Sequence, residues 1–189
     1  MDGASLTGGF ANAQVDAAYA FRAVLDAMAR PGTITQIVGA TPPAPLSIAA
    51  GSVLLTLCDG ETPLHLAGAA DCKAVRDWIT FHCGAPLVGR DRAMFVVGTW
   101  EALIPLTDYA IGTPEYPDRS ATLIVETETL APEGPRLTGP GIESEAALNL
   151  PAVEPLQMNA ALYPLGLDVI FCAGDQVAAL PRTTKVEAR

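Results

Sequence analysis

Pro164-Leu165-Gly166-Leu167-Asp168, then Val169-Ile170-Phe171-Cys172, Gly174-Asp175 and Val177-Ala178-Ala179-Leu180, form the stretch on which the fold reading turns. Two short apolar runs on either side of a Gly-Asp turn predict a β-hairpin. Pro181-Arg182-Thr183-Thr184-Lys185-Val186 follows, so Arg182 and Lys185 stand beside two hydroxyls, with Pro181 stiffening the approach. In an acidic chain this cationic cluster suits an anion, either a phosphate or a partner's carboxylates. An edge strand guarded by charges accounts for the same residues, and Asp168 is an internal carboxylate able to neutralise Arg182.

Upstream, helices and apolar strands alternate. Over 14–30, Ala18, Phe21, Leu25 and Met28 recur at steps of three and four and predict a helix with that face toward the core. Arg22, Asp26 and Arg30 share another face at steps of four, and Pro31-Gly32 ends the helix. Residues 33–38 read as a strand, 46–58 as a buried Ala-rich helix and 63–66 as a short strand. Asp71 is the expected N-cap of a helix running to about His82 and closing at Gly84. A strand is expected over 93–97, a helix around 101–109, a Gly/Pro/Asp loop over 111–120 and the clearest strand over 121–126. A polar hairpin-like stretch over 130–142 holds the turn Gly139-Pro140-Gly141, and a last helix spans 153–162 with Pro155 in its first turn. This order predicts an α/β sandwich with a mixed sheet. Residues 1–13 are expected to be a flexible N-terminus, and 14–189 a single α/β domain.

The charge narrows the partners. A formal net charge of −10 argues against nucleic acid and against an anionic membrane surface. It leaves room for a phosphate ligand, because a local cluster opposes the mean field. With half its residues hydrophobic, the chain is not disordered. Its first residues show no basic n-region followed by an apolar h-region, so no secretory signal is expected. No apolar run approaches the ~20 residues of a membrane span. Cys58, Cys72, Cys83 and Cys172 lack paired spacing and read as reduced core thiols of a cytoplasmic protein.

Motifs for catalysis are missing. There is no nucleophile elbow, Walker loop or dinucleotide glycine fingerprint. Thr138-Gly139-Pro140-Gly141 is better read as a structural turn than a phosphate cradle, because Pro140 lacks the N–H that a cradle needs. His65 and His82 are too few to expect a metal, and His82 and Cys83, adjacent on a helix, do not face one another as a dyad. Lys73 and Lys185 are the only lysines, and neither lies in a Schiff-base motif.

Taken in order, a longer series of blocks resembles one family. It runs through Phe21-Arg22 to Met28-Ala29, Pro31-Gly32, Ser52-Val53-Leu54-Leu55-Thr56-Leu57, Asp59 and Thr62-Pro63. It continues with Phe81-His82, Gly84-Ala85-Pro86-Leu87-Val88, Gly112-Thr113, Tyr116-Pro117 and Ala121-Thr122-Leu123-Ile124. It closes with Leu137 to Ile142, Asn159, Pro164 to Asp168 and Pro181 to Val186. These blocks are similar to PhnH, a subunit family of the bacterial carbon–phosphorus lyase core complex.

The resemblance implies a three-layer α/β/α sandwich like the main domain of pyridoxal-phosphate-dependent transferases, but without the cofactor. It implies a part in organic phosphonate catabolism. With partner subunits PhnG, PhnI and PhnL, such a subunit helps to form ribose 1-alkylphosphonate 5-triphosphate from ATP and an alkylphosphonate. A separate radical subunit, PhnJ, cleaves the carbon–phosphorus bond. It implies a homodimer in isolation and transfers no catalytic residue. Arg22, His82, Arg182 and Lys185 are the family-motif positions whose chemistry suits phosphate, and no metal or cofactor is expected. The competing readings are a stand-alone nucleotide- or phosphate-binding protein and a purely structural dimer.

Overall fold

The computed structural model describes residues 7–188. The elements in chain order are α1 (Ala13–Ala29), β1 (Thr35–Gln36), α2 (Ile48–Leu57), β2 (Leu64–Leu66), α3 (Lys73–His82), β3 (Phe95–Thr99) and α4 (Trp100–Leu103). After them come β4 (Thr122–Glu126), β5 (Arg136–Thr138), β6 (Ala146–Ala147), α5 (Glu154–Ala160), β7 (Asp168–Ala173), β8 (Gln176–Leu180) and β9 (Lys185–Glu187).

The hairpin expected from the opening stretch is β7 and β8, turning at Gly174-Asp175, with Phe171 opposite Ala178. It sits inside a six-stranded mixed sheet of order β1-β8-β7-β4-β3-β2. The strands β2, β3, β4 and β7 are parallel, with Ile124 opposite Ile170. The neighbours β8 and β1 are joined antiparallel. Because side chains alternate across a strand, Ile124, Ile170 and Cys172 point into one core, and Leu123, Val125, Val169 and Phe171 into another. The first core is closed by α1, α2 and α3; the second by α4, α5 and a small antiparallel sheet β6-β5-β9. The central strands, covered on both sides, are therefore unbroken apolar runs.

Four expectations are corrected. The face of α1 is the first. Ala20, Ala23, Val24 and Ala27 are buried, whereas Phe21 and Leu25 are about half exposed, at 51% and 53%. The helix packs on α2 and β8, and α2 buries Ala49, Ala50 and Gly51. Small side chains let the two helices meet, so the large ones turn outward, although both sets have helical spacing. Second, Asp71 does not cap α3. Cys72 is its N-cap, and Asp71 instead accepts from Arg76 Nε and Nη2. Third, the strand over 33–38 shrinks to Thr35–Gln36, because β1 is an edge strand with only β8 beside it. Fourth, the helix expected around 101–109 is a single turn, α4, followed by a 3-10 turn at Leu106–Asp108.

The turn at Gly139-Pro140-Gly141 is a packing device. Gly141 has φ +82°, and a Cβ there would lie 2.0 Å from the Ala29 carbonyl oxygen at the end of α1. The chain is tied down from Thr7 onward. The Thr7 carbonyl accepts from Trp78 Nε1 at 3.2 Å, and the Gly8 carbonyl accepts from Thr41 N at 2.9 Å. Of the flexible N-terminus expected over residues 1–13, residues 1–6 lie outside the described residues. Among the described residues no helix is long and apolar enough to cross a membrane.

Candidate functional site

Arg182 follows β8, where Pro181 has just ended the strand. Asp168, at the start of β7, lies beside it because the hairpin register brings the two ends together. Asp168 Oδ1 accepts from Arg182 backbone N at 2.9 Å and from Nε at 3.2 Å, and Oδ2 accepts from Nη2 at 2.5 Å. Nη2 also donates to Ser120 Oγ at 2.5 Å, and Nη1 to the Pro117 carbonyl at 2.8 Å. Both side chains are largely buried, 12% and 20% exposed. Four of the five guanidinium N–H groups are thus spent inside the fold. Neutralisation by Asp168 is the arrangement found. The group fastens the hairpin to the 3-10 turn Pro117–Arg119 ahead of β4.

The other candidates are not gathered around it. His82, at the end of α3, is half-buried and points Nε2 at the Thr7 carbonyl, 3.2 Å away. Its ring meets Phe81 edge-on and lines a cavity of about 380 Å³ with Thr7, Gly8, Gly9 and Phe10 and with Ala13 and Ala17 of α1. Arg182 lines a different cavity, of about 300 Å³, beside Tyr163 and Thr183. Arg22 lies exposed on α1 between Phe21 and Ala23; of its expected face, Arg30 and Asp26 form the ion pair, at 3.1 Å. Lys185 is exposed on β9, opposite Thr138.

The carboxyl end of β4, in the usual ligand crevice of an open α/β sheet, is occupied by contacts of the fold itself. Glu126 ends β4 and accepts from Ser47 N at 2.7 Å, at the start of α2. Ala49 N donates to the Gly174 carbonyl and Ala50 N to Ser47 Oγ, so these two N–H groups in the first turn of α2 are taken. Burial pushes the Glu126 carboxyl above its ordinary 4.5, against the opposing pull of the Ser47 hydrogen bonds. Burial likewise pushes the Cys83 thiol up to about 12 and raises Cys58 and Cys172, which disfavours the nucleophilic thiolate at all three. Among the described residues no three His, Cys, Asp or Glu side chains converge as metal ligands.

A family model described as bacterial phosphonate metabolism protein (PhnH) matches residues 8–187. The chain belongs to the PhnH family. It is 41% identical over 190 residues to the Rhizobium meliloti (strain 1021) protein named alpha-D-ribose 1-methylphosphonate 5-triphosphate synthase subunit PhnH, covering 96% of this chain and 95% of that one. It is 29% identical over 178 residues to the putative C-P lyase subunit protein HtxG of Stutzerimonas stutzeri, covering 90% of this chain and 85% of that one. The PhnH match begins at Gly8, one residue after the Thr7 carbonyl that holds His82 and Trp78, and ends within β9. Both termini of the described fold therefore fall inside the family pattern or border it.

Sequence reading missed a third group. His65, Arg76 and Arg92 line a cavity of about 270 Å³ at the outer edge of the sheet, beside β2. They come from a strand, a helix and a 3-10 turn, so no spacing joins them. One partial signal was present. His65 lies between Leu64 and Leu66, and alternation turns it away from the core that they fill.

Proposed function

We propose that this chain is a non-catalytic subunit of a bacterial assembly that forms ribose 1-alkylphosphonate 5-triphosphate from ATP and an alkylphosphonate, in the carbon–phosphorus lyase route. The near-full-length 41% identity to a synthase subunit carries the reading. The surface supports it. Val15, Tyr19, Phe21 and Leu25 stand 46–72% exposed on the outward side of α1, large apolar side chains that a subunit would cover with a partner. Its partners are the PhnG, PhnI, PhnJ and PhnL subunits, the location is the cytoplasm, and the isolated chain pairs with itself. The chain forms one domain, and its architecture is that of the main domain of pyridoxal-phosphate transferases. Parallel strands β2, β3, β4 and β7 between covering layers support that likeness. Lys73 as an exposed partner of Asp77, and Lys185 exposed on the small sheet, support an architecture used without that cofactor.

Co-expression with the partner subunits tests the proposal. The wild-type chain is expected to co-purify with them and to restore growth on methylphosphonate to a strain lacking its own subunit. Leu25→Glu is expected to abolish co-purification while leaving the thermal midpoint nearly unchanged. A wild-type chain that neither co-purifies nor restores growth sinks the subunit reading.

A further inference from the structure

We propose that the cavity beside β2 binds a tetrahedral oxyanion, the group shared by phosphate and phosphonate, with Arg92 and Arg76 as its cationic donors and His65 as an oriented third group. The proposal stands on the geometry of this cavity and does not depend on the subunit reading.

The cavity is built by backbone. Leu64 N donates to the Pro86 carbonyl and Val88 N to the Leu64 carbonyl, each at 2.9 Å, which carries the segment after α3 along the free edge of β2. That pairing presents the Val88 carbonyl to His65 Nδ1, 2.8 Å away. A carbonyl only accepts, so Nδ1 carries the proton and Nε2 is the nitrogen left without a protein partner. Asp71 takes Arg76 by Nε and Nη2, which points the guanidinium and leaves Nη1 uncommitted. Arg92 has no ion pair or hydrogen bond from its side chain among the described residues, although the chain holds 21 acidic residues against 11 basic ones. The neighbouring Arg90 shows the contrast. It is satisfied by Asp108 and by the Ala102 carbonyl. Within the lining, two guanidinium groups therefore face one carboxylate, and that carboxylate is turned to Arg76. Asp91 lies close to Gly89, a lining residue.

Planar guanidinium forks match the oxygens of a tetrahedral oxyanion, and His65 Nε2, an acceptor while Nδ1 holds the proton, takes a hydrogen bond from the P–OH of a monoprotonated phosphate or phosphonate. At about 270 Å³ the cavity takes a small anion or the charged end of a larger molecule rather than a folded surface.

Calorimetric titration of the full chain with methylphosphonate, inorganic phosphate and ATP tests this. Saturable binding of at least one probe is expected. Arg92→Ala is expected to weaken it tenfold or more and His65→Gln several-fold, whereas Arg30→Ala, which removes the same charge elsewhere, leaves it unchanged. Competition between probes separates the sources: ATP binding far tighter than both small anions assigns the oxyanion to a nucleotide, and methylphosphonate binding tightest assigns it to the alkylphosphonate. No heat from any probe at millimolar concentration overturns the proposal, as does binding that Arg92→Ala leaves intact. So does loss of a partner subunit in Arg92→Ala without any anion binding by the wild type, which assigns Arg92 to a protein carboxylate. Arg92 is exposed, so its variant folds even if the His65 variant does not.

Discussion

Arg182 and Arg92 carry the same charge, and the fold treats them in opposite ways. Arg182 is largely buried, with Asp168, Ser120 and the Pro117 carbonyl arranged around it. Arg92 stands exposed at a cavity wall with no carboxylate drawn to it. Burial makes the difference. A guanidinium removed from water must find partners inside the protein, because an unpaired buried charge costs several kcal/mol, on the order of 3–5. An exposed one has no such obligation. The cation conspicuous in the sequence is therefore spent on architecture, and the one unremarkable in the sequence is left available for a ligand.

The largest effect should come from breaking the satisfied side of that contrast. Arg182→Ala strands Asp168 in a largely buried site and is expected to cost about 3–5 kcal/mol in chemical denaturation. Arg92→Ala should stay within about 0.5 kcal/mol in the same measurement. Equal losses for the two would erase the distinction.

The same rule, that burial decides, is sharpened on α1. Ala27→Leu forces bulk between packed elements and is expected to cost about 1–3 kcal/mol. Leu25→Ala, on the exposed face, should cost less than about 0.5 kcal/mol, the reverse of what side-chain size suggests.

Glu126 extends the contrast to an anion. Its carboxyl is raised above 4.5 by burial, so the folded state holds the proton more tightly than the unfolded one. Its contribution is fully present below about pH 4.5 and is lost as pH rises through the raised folded value. Glu126→Gln, which keeps an acceptor for Ser47 N, should flatten the stability profile over that rise. Wild type and variant with parallel profiles from pH 4 to 8 would show that Glu126 titrates as it does in water.

Much of the frame was legible from local pattern. The β7–β8 hairpin and β4 announce themselves by apolar and β-branched runs, and α2 by its alanines ahead of Cys58. The small sheet was not, because β5 and β6 are three and two residues long and β5 finds its other partner, β9, far along the chain. The face of α1 was misread because hydrophobicity ranks side chains by size, while helix contact selects small ones. Of the site, Asp168 was visible as a neutraliser of Arg182. His65, Arg76 and Arg92 meet only through the tertiary fold.

The pairing of β1 with β8 has a consequence for how the molecule comes to exist. Thr35 faces Val177, and α1 rests on α2 and β8. A ribosome delivers the first helix and strand long before the hairpin on which they settle. Until then the part of the alanine side of α1 that β8 covers stays wet, and its outward Val15, Tyr19, Phe21 and Leu25 are just as bare. For most of its synthesis the nascent chain therefore offers a two-sided apolar helix to whatever is nearby, and completion of the last strands removes one side from circulation.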